Sequence, residues 1–108
     1  MSLKQKVCVP CQGGIPPLPL SEAKKFLNQV SNWQLEGKAK NISKRFDFSN
    51  FIKTLDFVNK LGSLAEEEGH HPDICFGWGY ANVKFFTHKI DGLHENDFIM
   101  AAKTDDLL

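Results

Sequence analysis

SNFIKTLDFVNKLGSLAEEEGHHPDICFGWGYANVKFFTH, residues 49–88, changes its hydrophobic period part-way along. Phe51, Leu55, Val58, Leu61 and Ala65 recur at three or four residues, which predicts a long amphipathic helix capped near Ser49 and stopped by Gly69. Gly62 within it costs about 1 kcal/mol relative to Ala and points to close packing there. After Pro72 the period falls to two. Ile74, Phe76 and Trp78 share one parity, and Ala81, Val83 and Phe85 alternate with Asn82, Lys84 and Phe86. Gly77 and Gly79 flank Trp78, where a turn or bulge would join two strands.

The flanking sequence repeats this alternation. Upstream, a first helix is expected from Ser21 as N-cap, with Ala23, Phe26, Leu27 and Val30 on one stripe. A hairpin follows: Trp33-Gln34-Leu35-Glu36, a turn at Gly37-Lys38, then Ile42, Phe46 and Phe48 on one parity. Lys44 interrupts that parity, so the second strand should have one wet end. Downstream, a last helix opens near Glu95, with His94 as N-cap, Asp97 at N3, and Leu93 and Phe98 in staple positions. The order α-β-β-α-β-β-α implies an α+β fold, a four-stranded antiparallel sheet with three helices on one face. Residues 1–20 read as an irregular arm, since Gly13-Gly14 and Pro16-Pro17-Leu18-Pro19 disfavour regular structure; residues 21–108 form the domain.

The 108 residues fit one domain, and a chain of this size buries roughly two-thirds of its unfolded surface. Nine Phe and two Trp point to an aromatic core, an oligomer interface, or both. Thirteen basic residues against thirteen acidic give the chain no basic excess or stripe, so a nucleic-acid partner is not expected. No apolar run is long enough to span a bilayer and no signal-peptide core opens the chain, which makes the cytoplasm the expected compartment. Three cysteines, an odd count, argue against a disulfide framework. Cys8-Val9-Pro10-Cys11 is half of a zinc site or a redox motif, but with no second cysteine pair and no βαβ context a structural arm is the favoured reading over either.

All four histidines lie between positions 70 and 94. Imidazole both gives and takes protons near neutrality, which suits acid–base catalysis. Pro72 pushes His71 away from helical dihedrals, and adjacent residues of an extended segment face opposite sides, so His70 and His71 should do different jobs. On residue types alone, surface or capping roles remain equally open for them.

The combination Glu66-x-x-x-His70-His71-Pro72, Thr87-His88 and Gly92-Leu93-x-x-x-Asp97 strongly resembles the pterin-4a-carbinolamine dehydratases, over about residues 20–105. The resemblance implies the same sheet and helices, assembly as a homodimer or homotetramer, and loss of water from 4a-hydroxytetrahydropterin to give quinonoid dihydropterin. It also implies a functional link to an aromatic amino-acid hydroxylase, whose spent pterin is recycled. By this resemblance His70 and His88 are the acid–base candidates and His71 holds the pterin, with Pro72 beside it. Glu66 either orients an imidazole, binds the amino-pyrimidine edge, or is a solvated helix end; Asp97 caps its helix, works in the site, or both. The reaction calls for no cofactor and no metal. Many members carry Trp at the position of Ile74, so apolar contact with the pterin falls to Phe76 or Trp78 unless those residues belong to the core. Some members bind a transcription factor, which makes a non-enzymatic interaction module the alternative; a metal domain joining Cys8, Cys11 and histidines is another.

Overall fold

The computed structural model describes residues 2–9 and 13–108. Its helices are α1 (Leu20–Leu27), α2 (Phe51–Glu68) and α3 (Glu95–Asp105), and its strands β1 (Gln34–Glu36), β2 (Asn41–Asp47), β3 (Asp73–Gly77) and β4 (Tyr80–Phe85). The strands form one antiparallel sheet in the order β1-β2-β4-β3. The expected α+β order is therefore observed.

Pleating sorts the sheet residues by parity. Ile42, Phe46, Ala81, Val83 and Phe85 are buried, with Phe57, Leu61 and Ala65 of α2 and Phe98, Met100 and Ala101 of α3 also in the core. The opposite face carries Glu36, Arg45, Asp73, Cys75 and Asn82, all exposed. α1 contributes Ala23, fully enclosed, and Phe26, whose ring stacks on Phe98 with centroids 5.3 Å apart.

Several local expectations are corrected. α1 begins one residue before Ser21, with Pro19 at the cap; its carbonyl takes Ala23 N–H at 3.0 Å, so the proline ring sets the entry without a side-chain acceptor. In α2 the cap is Asn50, whose side chain accepts from Lys53 N at 2.9 Å. The buried stripe of α2 runs through Thr54, Phe57, Leu61 and Ala65. Thr54 can be buried because its hydroxyl donates to Asn50 O at 2.9 Å and lies 3.2 Å from Trp78 O. Phe51 turns outward and stacks on Phe76 at 6.3 Å. Gly62 is not in close packing: a Cβ there would meet nothing within 4 Å. Gly69 does end α2, in the left-handed region at φ 69°.

Lys44 is not at a wet strand end. It sits mid-strand with its ammonium 2.7 Å from Asp105 and over the Phe46 ring at 4.9 Å, while Trp33 Nε1 donates to the same carboxylate at 3.0 Å. Phe76 and Trp78 do not join the core either, being 38% and 68% exposed. The amino-terminal arm is docked on the domain. Leu3, in a short 3-10 turn at Leu3–Gln5, is buried, and Asn96 makes two bonds to the Val9 backbone, at 3.1 and 2.8 Å. Among the described residues no helix is long and apolar enough to cross a membrane.

Candidate active site

The end of α2, the segment after β4 and the start of α3 converge on one carboxylate. Asp97, with no exposed surface, stands at N3 of α3. His94 precedes that helix with extended dihedrals, its ring Nδ1 accepts from Asn96 N at 3.0 Å, and its backbone N–H donates to Asp97 Oδ2 at 3.0 Å. This is the expected capping box. The same Oδ2 takes the Thr87 hydroxyl at 2.9 Å. The other oxygen, Oδ1, is 2.6 Å from His70 Nε2.

His70 arrives there because Gly69 turns the chain sharply out of α2. Its ring is 93% enclosed and lies nearly parallel to Phe85, with centroids 6.3 Å apart and planes 12° apart. A carboxylate only accepts, so Asp97 selects the tautomer with the proton on Nε2. Nδ1 then carries the lone pair. It has no protein partner among the described residues and is not sealed from solvent, so it is the ring nitrogen left open to a ligand.

His71 faces the other way, as the extended backbone before Pro72 requires. It is exposed, and its Nε2 pairs with Glu66 Oε1 at 2.6 Å. Glu66 thus meets the imidazole of His71 and not that of His70. Both line an open groove of about 810 Å³ on the flank of α2, with Val58, Gly62, Pro72 and Ile74.

His88 lies beyond the sheet, because β4 stops at Phe85 and His88 opens a 3-10 turn at His88–Ile90. The turn is closed by Thr87 N–H to Gly92 O at 2.8 Å, and Gly92 has no room for a side chain, since a Cβ would lie 2.5 Å from that of Pro17. His88 is exposed, with its ring 4.1 Å from that of Phe86. It follows Thr87 directly, so its backbone is one peptide from a residue sharing Asp97 with His70. Sequence reasoning gave Thr87 no role beyond its place in the motif; its hydroxyl on a buried carboxylate appears only in three dimensions.

Among the described residues no group of three His, Cys, Asp or Glu side chains gathers as metal ligands. Cys8 is half-buried, and burial followed by the nearby Glu68 charge pushes its thiol up to about 12. Cys11 lies outside the described residues.

The family model for pterin 4 alpha carbinolamine dehydratase matches residues 16–107. The chain belongs to this family. A protein of Methylococcus capsulatus assigned as a pterin-4-alpha-carbinolamine dehydratase is 59% identical over 106 residues, covering 98% of this chain and 93% of that one. A similarly assigned protein of Halorhodospira halophila is 56% identical over 107 residues, 99% of this chain and 98% of its own. These alignments include the arm that precedes the family match. Among solved structures, a transcriptional coactivator/pterin dehydratase from Brucella melitensis superposes with TM-score 0.80 at 27% identity, covering 84% of this chain and 97% of that one. A pterin dehydratase-like protein described as a RuBisCO assembly factor in the alpha-carboxysome gives TM-score 0.62 at 34% identity, over 70% of this chain and 88% of its own.

Proposed function

We propose that the protein dehydrates 4a-hydroxytetrahydropterin to quinonoid dihydropterin by histidine acid–base catalysis. The reaction breaks the C4a–O bond and forms a C=N bond with the adjacent ring nitrogen. One proton must reach the departing hydroxyl and one must leave the ring nitrogen. His70, held by Asp97 with its Nδ1 lone pair outward, is the base; His88, exposed on the adjoining turn, is the acid. Each contribution is worth about 10²–10⁴-fold. His71 and Glu66, beside Pro72, contact the pterin at the groove. Asp97, fully enclosed, acts on the substrate only through His70.

The observation that carries this reading is the buried Asp97–His70 pair at 2.6 Å, whose carboxylate is otherwise filled by Thr87 and His94. Such a pair is costly to bury for stability alone. Family membership supplies the substrate class. The reading includes assembly as a homodimer or homotetramer in the cytoplasm and a functional link to an aromatic amino-acid hydroxylase. Stopped-flow decay of the 4a-carbinolamine tests it: His70→Ala and His88→Ala should each lower turnover at least about tenfold. Wild-type turnover in both variants would overturn the mechanism, and no acceleration by the wild-type protein would overturn the function.

A further inference from the structure

We infer that His94 is a positioning residue that makes the orientation of His70 depend on pH. This rests on the reading of His70 as the working base. Helix N-caps are usually Ser, Thr, Asp or Asn, whose acceptor oxygens keep their lone pairs throughout the neutral range. Here the cap is an imidazole: Nδ1 of His94 accepts from Asn96 N at 3.0 Å, while the same residue's backbone N–H donates to Asp97 Oδ2 at 3.0 Å. Asp97 N–H returns to His94 O at 3.0 Å, so the ring, the helix start and the carboxylate that orients His70 form one hydrogen-bonded unit.

An imidazole accepts at Nδ1 only while neutral; as imidazolium both nitrogens donate. Protonation therefore removes the cap from α3 and sets a cation against the positive end of the helix dipole. The charged groups around this helix start are Glu95 and Asp97 of α3 and Lys6 of the arm, which engages Glu95 at 2.6 Å. Glu68 of α2 holds Cys8 N–H at 2.9 Å, Asp91, which caps the 3-10 turn, is held by Lys40 at 3.3 Å, and His70 lies across Asp97. Loosening of the first turn reaches Asp97 directly. It also reaches the arm, because the Asn96 side chain is bonded to both backbone groups of Val9.

The test compares wild type, His94→Ala and His94→Asn. His94→Ala should lower kcat about tenfold near pH 8 with KM changed less than about twofold, and should weaken the Nε2–H signature of His70 in imidazole ¹⁵N spectra. Asn caps without titrating in this range, so His94→Asn should restore both readouts and retain, at about pH 5.5, about threefold more of its alkaline rate than wild type does. An unchanged His70 spectrum in His94→Ala overturns the positioning role whatever its rate. A pH profile of His94→Asn superimposed on wild type overturns the pH dependence even where the Ala variant folds poorly. If wild type itself shows no dehydratase activity, that failure belongs to the proposed function, and the His70 spectra still decide the positioning.

Discussion

Asp97→Asn is the perturbation that most directly separates an oriented base from a merely buried histidine. The carboxylate receives three donors, His70 Nε2 at 2.6 Å, Thr87 Oγ1 at 2.9 Å and His94 N at 3.0 Å. An amide has a single acceptor oxygen. If that oxygen stays with Thr87 and His94, the amide NH₂ faces His70 Nε2, and two donors cannot share that short contact. The imidazole must shift its proton to Nδ1, which removes the lone pair from the solvent-facing nitrogen while leaving the ring in place. Loss of general-base catalysis then lowers kcat about 10²–10⁴-fold. Stability falls by about 2–3 kcal/mol through the lost charge-assisted bond, which leaves a domain of ordinary stability folded. Stopped-flow carbinolamine decay measures the first effect and urea unfolding the second. Because the two residues act as a unit, Asp97→Asn combined with His70→Ala should be no slower than His70→Ala alone. A folded Asp97→Asn protein within threefold of wild-type kcat, or a double variant with multiplied losses, would refute this reasoning.

Gly62→Ala should raise stability by about 0.5–1 kcal/mol in urea unfolding, since the helix gains propensity and the new methyl meets nothing within 4 Å; a loss would mean the groove is packed. Cys75 is exposed whereas the Cys8 thiol is raised from 9.0 to about 12, so iodoacetamide at about pH 8, read by peptide mass mapping, should label Cys75 and spare Cys8. The same shift has a signed consequence: above pH 9 the unfolded Cys8 ionises while the folded one stays protonated, so this contribution to stability is intact below pH 9 and is lost as pH rises towards 12. Equal labelling of the two thiols would contradict both statements. Phe51 stacks on Phe76, and the adjacent Ile52 and Trp78 are 71% and 68% exposed, so in the proposed homo-oligomer Trp78→Ser combined with Ile52→Ser should shift sedimentation towards the monomer; an unchanged assembly would place the interface elsewhere.

The fold was legible because its strongest signals are periodic and local. The change from a helical to a strand period at Gly69–Pro72 and the strict alternation of Ala81, Val83 and Phe85 survive intact in α2 and β4. Where reading failed, a non-local partner reversed a local preference. Thr54 looked less apolar than Phe51, but Trp78 O and Asn50 O satisfy it, so it turns inward while Phe51 turns out to meet Phe76. Lys44 looked wet until Asp105, 61 residues later, provided a partially buried counter-charge. Gly62 suggested close packing and instead lines an open groove. In the site, the histidines were visible as residue types in a motif. The bond between His70 and Asp97 was not, because 27 residues separate them and helix capping already gave Asp97 a sufficient local reason to exist.

That double use of Asp97 explains how so small a domain holds the His70 imidazole in register. A buried carboxylate has two oxygens to satisfy, and an unsatisfied one costs about 1–3 kcal/mol or more when charged. Here the capping box and Thr87 occupy Oδ2, so Oδ1 alone is left to aim, and it can aim only at His70. The helix start fixes the carboxylate along its axis, the Thr87–Gly92 closure fixes it from the strand side, and Phe85 limits the tilt of the imidazole. Orientation therefore comes from elements the core already requires, whereas His88 is exposed on the turn after Thr87. In the proposed mechanism this divides the labour between a base held by the core and an acid carried on a turn, which suits loss of water from a rigid bicyclic ring, since the ring nitrogen is fixed on binding while the hydroxyl must leave.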